Sequence, residues 1–274
     1  MEICVCVKRV PTVGGTIAVT PDGLEVDTTM SGFTVSPHEE CAVEEAVQII
    51  ERLGAGSAGP RSGAVAQAAP GSAGGARSGR VTVLTLGPPE AADQLRDMLA
   101  LGASRAILLQ TDGTEWGPIA TATAIADAVR DGGYDLLLFG NEAADTGGYQ
   151  VPVRVAHALG LPCVTGIKKL EISADRMQAR REYRGTEELF ELPLPAVVSV
   201  KEGINLPRYP SLPGRLRAKR AAIETIEPGQ ATDGLRKERL RVPEGSQQLA
   251  QILGTGVDAV PALVDLLNEL GLLP

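Results

Sequence analysis

Three short apolar runs, RVTVLTLGP (residues 80–88), RAILLQ (105–110) and DLLLFG (135–140), are separated by helix-forming stretches that each close on glycine. The opening EICVCVKRVP (2–11) is a run of the same kind, and it stops at a proline. Strands rich in Val, Ile and Leu at consecutive positions suit burial on both sides. Their alternation with helices implies a parallel sheet whose crossover helices cover its faces. The pattern therefore predicts an α/β fold: a parallel-rich, twisted, Rossmann-like sheet with helices on both faces. Open sheets of this type take ligands beyond the carboxyl ends of their strands. Here those ends are residues 6–10, 86–88 and 140 onward.

The stretch SPHEECAVEEAVQIIERL (36–53) carries the marks of a helix start: Ser36 as cap, Pro37 at the first helical position, and Glu39 and Glu40 where the helix dipole favours acids. Ala42, Val43, Ala46, Val47 and Ile50 supply an apolar stripe at helical spacing. TIAVTPDGLEVDTT (16–29) alternates around an Asp-Gly turn and reads as a small hairpin. Residues 54–80 are dominated by Gly, Ala, Ser and Pro and read as a flexible insertion without enough apolar surface to offset ordering. From residue 168 to 200 the rhythm changes to alternating strands and turns, which suggests an antiparallel addition to the sheet. Beyond residue 226, SQQLAQILG (246–254) and VPALVDLLNELGLLP (260–274) read as amphipathic helices of a separate tail.

A net charge of −8 argues against nucleic acid as a partner, because phosphate contacts need a basic face. Four cysteines occur without a CxxC pair, and the two histidines, His38 and His157, have no metal-ligand spacing, so a metal site is not expected. Cys4 and Cys6 fall on the same face of one strand and read as packing groups in a reducing compartment. No GxSxG or HExxH pattern is present, which leaves ordinary catalysis unsupported. The chain starts directly on a strand and contains no apolar run of about 20 residues, so the expectation is a cytoplasmic protein without membrane insertion.

After DLLLFG comes NEAADTGGYQVPVRVAHALGLP (141–162), a small-residue loop before a helix. Such loops aim backbone N–H groups at phosphate oxygens, and glycine lets the ligand approach the chain. Neither Walker A spacing nor GxGxxG is present, so an ordinary glycine-rich turn is an equal reading of this loop alone. NLPRYPSLPG (205–214) poses a second choice. Its three prolines argue for a stiff, extended excursion rather than a helix. Tyr209 and Leu212 either tuck onto the core or face a partner.

Taken in order, VCVKRVP, SPHEECAVEEA, VTVLTLGP, LALGASRAILL, GNEAADTGGYQVP and LPAVVSVKEGINLPRYPSLPGRLRAKRAAI resemble the β subunit of electron-transfer flavoproteins, from residue 2 to about 226 outside the insertion. The most specific part is NLPRYPSLPGRLRAK. The resemblance implies an electron carrier and no enzyme: a heterodimer with an α subunit that holds the redox-active FAD, this chain binding AMP structurally, or a second FAD in variants that split electron pairs. It further implies docking to acyl-CoA or related dehydrogenases and delivery to a quinone oxidoreductase. Carried over by position, the nucleotide would meet Cys6, Ser36, Pro37, His38, Glu39, Leu86, Ala143, Asp145, Thr146, Gly147, Gly148, Tyr149, Gln150, Val151 and Arg154. The partner dehydrogenase would meet residues 204–220, with Tyr209, Leu212 and Pro213 as anchors and Arg215, Arg217 and Lys219 as a basic cluster. Residues 1–226 would form the nucleotide-binding domain and 227–274 a tail packing on the α subunit. Two departures stand out: Ser36 replaces a common asparagine and keeps a capping oxygen, whereas Pro152 replaces a common glycine and has no N–H for a phosphate. Free-standing adenine-nucleotide sensors share such sheets, but not the 205–219 segment or the tail. A phosphate-transferring enzyme would need a P-loop lysine and acids that are missing here.

Overall fold

The computed structural model describes residues 1–12, 17–56, 79–173, 175–229, 234, 237–242 and 252–273. Residues 57–78 of the expected insertion and 246–251 of the first tail helix lie outside them. The elements run β1 (Glu2–Cys6), β2 (Val10–Pro11), β3 (Phe33–Thr34), α1 (Pro37–Gly56), β4 (Arg80–Gly87), α2 (Ala92–Leu101), β5 (Arg105–Gln110), α3 (Pro118–Val129), β6 (Leu136–Gly140), α4 (Val151–Leu159), β7 (Cys163–Ile167), β8 (Lys169–Ile172), β9 (Arg176–Tyr183), β10 (Thr186–Pro193), β11 (Ala196–Val200), α5 (Leu212–Arg220), β12 (Glu224–Ile226) and α6 (Val260–Glu269). Contacts divide the chain into one compact unit of residues 1–16 and 28–237 and a smaller one of 17–27 and 238–274.

The larger unit is built on a seven-stranded sheet in the order β12-β5-β4-β1-β6-β11-β7. Every pairing in it is parallel. The period of two along each strand separates two cores. Ile3, Val5, Val81, Val83, Leu136 and Leu138 face Ala42, Val43 and Ala46 of α1 and Leu95 and Met98 of α2. Cys4, Cys6, Leu84, Leu137 and Phe139 face Ile125 and Val129 of α3 and Val155 and Ala156 of α4. Cys4 and Cys6 therefore share a face, as their spacing predicts. From β1 the chain builds outward on one side through β4 and β5, then returns to place β6 on the other side of β1. That reversal makes a switch point between β1 and β6, the place where open sheets of this kind form their ligand crevice between the loops leaving the two strands.

Two expectations need correction. The strands expected to extend the main sheet antiparallel form a sheet of their own, β10-β9-β8. The reason lies in composition: β9 and β10 alternate Arg and Glu with apolar residues and pair through Arg180–Glu187 and Arg181–Glu188, a half-wet surface that a sheet covered on both faces does not accept. AVVSV (196–200), by contrast, is wholly buried as β11 and joins the main sheet in parallel. The second correction concerns NLPRYPSLPG, which is extended only through residue 211. Leu212 opens α5, Ser211 Oγ accepts from the Gly214 N–H at 3.2 Å, and Pro213 sits in the first turn, where a missing N–H costs no helix bond. Gly214 and Ala218 are the buried face of α5, and a Cβ on Gly214 would come within 3.2 Å of the Ala100 carbonyl on α2.

In the smaller unit, the bridge between Val19 and Val26 and the turn at Gly23, with φ of 72°, make the expected hairpin. The Leu240 N–H donates to the Gly23 carbonyl at 2.7 Å. α6 is preceded by a short 3₁₀ turn (Gly256–Ala259) and has no buried residue.

Candidate functional site at the switch point

Cys6 ends β1, and its side chain lies in the core, where burial pushes the thiol well above its ordinary value and leaves it a neutral packing group. The next turn carries Lys8. Its backbone N–H donates to Glu39 Oε1 at 2.8 Å, and its ammonium pairs with Asp145 at 2.7 Å. That ion pair bridges the two loops of the crevice, one following β1 and the other following β6.

α1 begins at the same place. The Ser36 N–H donates to Glu39 Oε2 at 2.9 Å, the reciprocal arm of a capping box, while the Ser36 hydroxyl turns to the Glu142 carbonyl at 3.4 Å. Glu39 thus accepts one N–H on each oxygen, yet burial pushes its carboxyl up to about 8 against the pull of both donors. Gly140 makes this approach possible: a Cβ there would sit 2.7 Å from Glu39 Cγ. His38 Nδ1 accepts from the Glu202 N–H at 2.7 Å, so the ring proton resides on Nε2, which faces Glu142 Oε1 at 3.5 Å.

Glu142 is therefore a junction for three expected site residues, Ser36, His38 and Tyr149. Its hydrogen bond holds the Tyr149 phenol above its ordinary value. Residues 145–150 are all exposed. Gly147 (φ 54°) and Tyr149 (φ 55°) both adopt the left-handed region, which for tyrosine is an unusual conformation of the sort found at ligand sites. α4 follows at Val151 with Pro152 in its first turn and no side chain capping it. Arg154 reaches back to Gln150 Oε1 at 2.8 Å. Leu86, near the end of β4, packs with the α3 side of the core. The crevice thus gathers Ser36, His38, Glu39, Asp145 and Tyr149 into one network, whereas Cys6 and Leu86 contribute side chains to its floor in the core. Lys8, Gly140 and Glu142 lie within the strand ends that the sequence marked, 6–10 and 140 onward, but were not among the residues expected to meet the nucleotide. A Lys after the first strand and a Glu after Gly140-Asn141 were visible, but nothing local paired them.

Elsewhere in the same unit, an open cleft of about 560 Å³ runs along the second half of α1 against β8 and Ile204. Among the described residues, no cluster of three His, Cys, Asp or Glu side chains forms a metal site, and no helix is long and apolar enough to cross a membrane. Between β11 and α5, Tyr209 and, at the first position of α5, Leu212 are 96% and 72% exposed, which removes the reading that they tuck into this chain's core. Arg215, Arg217 and Lys219 are exposed on α5 beside them.

Fold and site together describe a doubly wound α/β protein whose crevice opens between the loops after its first strand and the strand across the switch point. Residues 72–231, more than half of the chain, match the electron transfer flavoprotein domain family. The electron transfer flavoprotein subunit beta of Syntrophomonas wolfei is 32% identical over 95% of this chain and 91% of its own length. Those of Bacillus subtilis and Bradyrhizobium diazoefficiens are 34% and 30% identical, over 71% and 100% of this chain and 67% and 100% of theirs. The chain belongs to the electron transfer flavoprotein family, among its β subunits, and as such is an electron-transfer protein rather than an enzyme.

Proposed function

We propose that this chain is the cytoplasmic β subunit of a heterodimer in which an α subunit holds the redox-active FAD, while this chain holds AMP as a structural nucleotide in the crevice between β1 and β6. In this reading residues 1–226 carry the nucleotide and 227–274 pack on the α subunit. Residues 204–220 receive acyl-CoA or related dehydrogenases, whose electrons then pass to a quinone oxidoreductase. The observation that carries it is the convergence at one switch point of the start of α1, the exposed 145–150 loop and the uncapped start of α4.

The residues suit a phosphate monoester. The N–H groups of Val151 and Val153 lie in the first turn of α4, where no helix carbonyl reaches them, and Lys8 and Arg154 supply positive charge. Pro152 removes one donor, which shifts phosphate contacts toward Gly147, Gly148 and Tyr149. Bound there, the nucleotide supplies no redox chemistry; the chain's residues orient it and tie the two loops together. Four unpaired cysteines agree with a reducing compartment.

Co-production with the α subunit tests the reading. The chain alone should carry no flavin absorbance and should gain it with its partner, whereas tight, redox-active FAD on the isolated chain would overturn AMP as its nucleotide.

A further inference from the structure

The segment between β11 and α5 presents Leu206, Tyr209 and Leu212 to solvent, yet no residue from 205 to 213 is buried. Apolar packing therefore does not hold it in place. Arg208 points the other way, into α1. Its Nε and Nη2 donate to the two carboxylate oxygens of Glu44 at 2.9 and 3.0 Å. Its Nη1 and Nη2 donate to the two oxygens of Glu51 at 2.7 and 3.0 Å, and its backbone N–H adds a bond to Glu44 at 3.2 Å. One guanidinium thus grips two carboxylates, each through both oxygens, a geometry that lysine does not reproduce. Glu44 is 2% exposed, so the carboxylate has been taken out of water for this contact and depends on it. Three residues upstream, the Asn205 amide donates to the Cys41 carbonyl and to Glu45, both at 3.0 Å.

We infer that Arg208 is the positioning residue of the docking segment: its double fork to Glu44 and Glu51 fixes the backbone against α1, so that Tyr209 and Leu212 stand ready before a dehydrogenase arrives. The inference rests on the proposed docking role of this segment. A loop held by polar contacts on one side and bare on the other loses little freedom when it binds, and prolines at 207 and 210 add to the same end. Arg208 touches no partner in this arrangement; it acts through the side chains on either side of it.

The test uses the reconstituted heterodimer, with an acyl-CoA dehydrogenase reduced by its own substrate as electron donor. Arg208→Ala should raise the apparent KM for the flavoprotein about tenfold, the equivalent of 1.4 kcal/mol, and leave kcat within about twofold. Leu212→Ala should raise KM by more. Adding Arg208→Ala to Leu212→Ala should cost clearly less than the tenfold that Arg208→Ala costs alone, because one of the two side chains that Arg208 places is already gone. Arg208→Lys and Glu51→Gln, which keep the charge or the buried half of the clamp, should share the KM effect in part and serve if Arg208→Ala does not fold. An unchanged KM in the Arg208 and Glu51 variants beside an impaired Leu212→Ala overturns the inference and leaves docking standing, as does full additivity in the double variant. A normal KM in Leu212→Ala overturns both.

Discussion

Glu39 shows how much one side chain settles at the crevice. It joins the exit of β1 to the start of α1 and fills the space that Gly140 leaves open. Its carboxyl ordinarily titrates near 4.5 and is raised to about 8 in the fold, chiefly by burial, while the hydrogen bonds from Ser36 and Lys8 and the charge of Lys8 pull it down. A raised folded value means that the fold favours the neutral form. The corresponding stability is fully present below 4.5 and is lost as pH rises through about 8. Melting temperature should therefore fall with pH between about 4.5 and 8, and Glu39→Gln should flatten that slope, since an amide does not ionise. The same variant should be about 1 kcal/mol less stable at pH 6, because one of the two backbone donors loses its acceptor. Parallel pH profiles for the two proteins would remove Glu39 as the source of the slope.

At the scale of elements, α1 serves the crevice with its first turn and the proposed docking segment with its middle. Burial pushes Glu44 up, but the hydrogen bonds from Arg208 and Gln48 outweigh it and hold the carboxyl below its ordinary value. Glu51 is held low first by the hydrogen bond from Arg208. Both folded values thus lie below 4.5, so the clamp persists above that pH and is lost as pH falls through the folded values. The Arg208 amide, bonded to Glu44, should lose hydrogen-exchange protection below about pH 4.5 while β1 and β6 amides keep theirs, after correction for intrinsic rates. Simultaneous loss would mean that the segment has no separate hold.

Much of this was legible in the sequence. The parallel strands and the helices α1 to α4 follow from apolar period and glycine stops, and the strand ends from their order. What the sequence did not reveal is pairing across distance: Lys8 with Asp145, or Arg208 with Glu44, joins residues far apart in the chain and follows from no local period. α5 was missed because three prolines read as helix breakers, although the third stands where a helix accepts one.

For the whole molecule, the described residues of the smaller unit carry an exposed apolar surface. Val257, Leu263 and Leu270 are 83%, 44% and 61% exposed, and α6 buries nothing. An apolar helix left open in this way suits an interface, which the proposed heterodimer assigns to the α subunit. Val257→Asp with Leu270→Asp should weaken association with the α subunit by tenfold or more, about 1.4 kcal/mol, and leave melting of the isolated chain within about 0.5 kcal/mol. Undiminished association would place the α subunit on another face. The proposed division of cofactors is open to a direct count: the purified heterodimer is denatured and its released nucleotides are quantified. One FAD and one AMP per heterodimer is the expected result; two FAD and no AMP would contradict it.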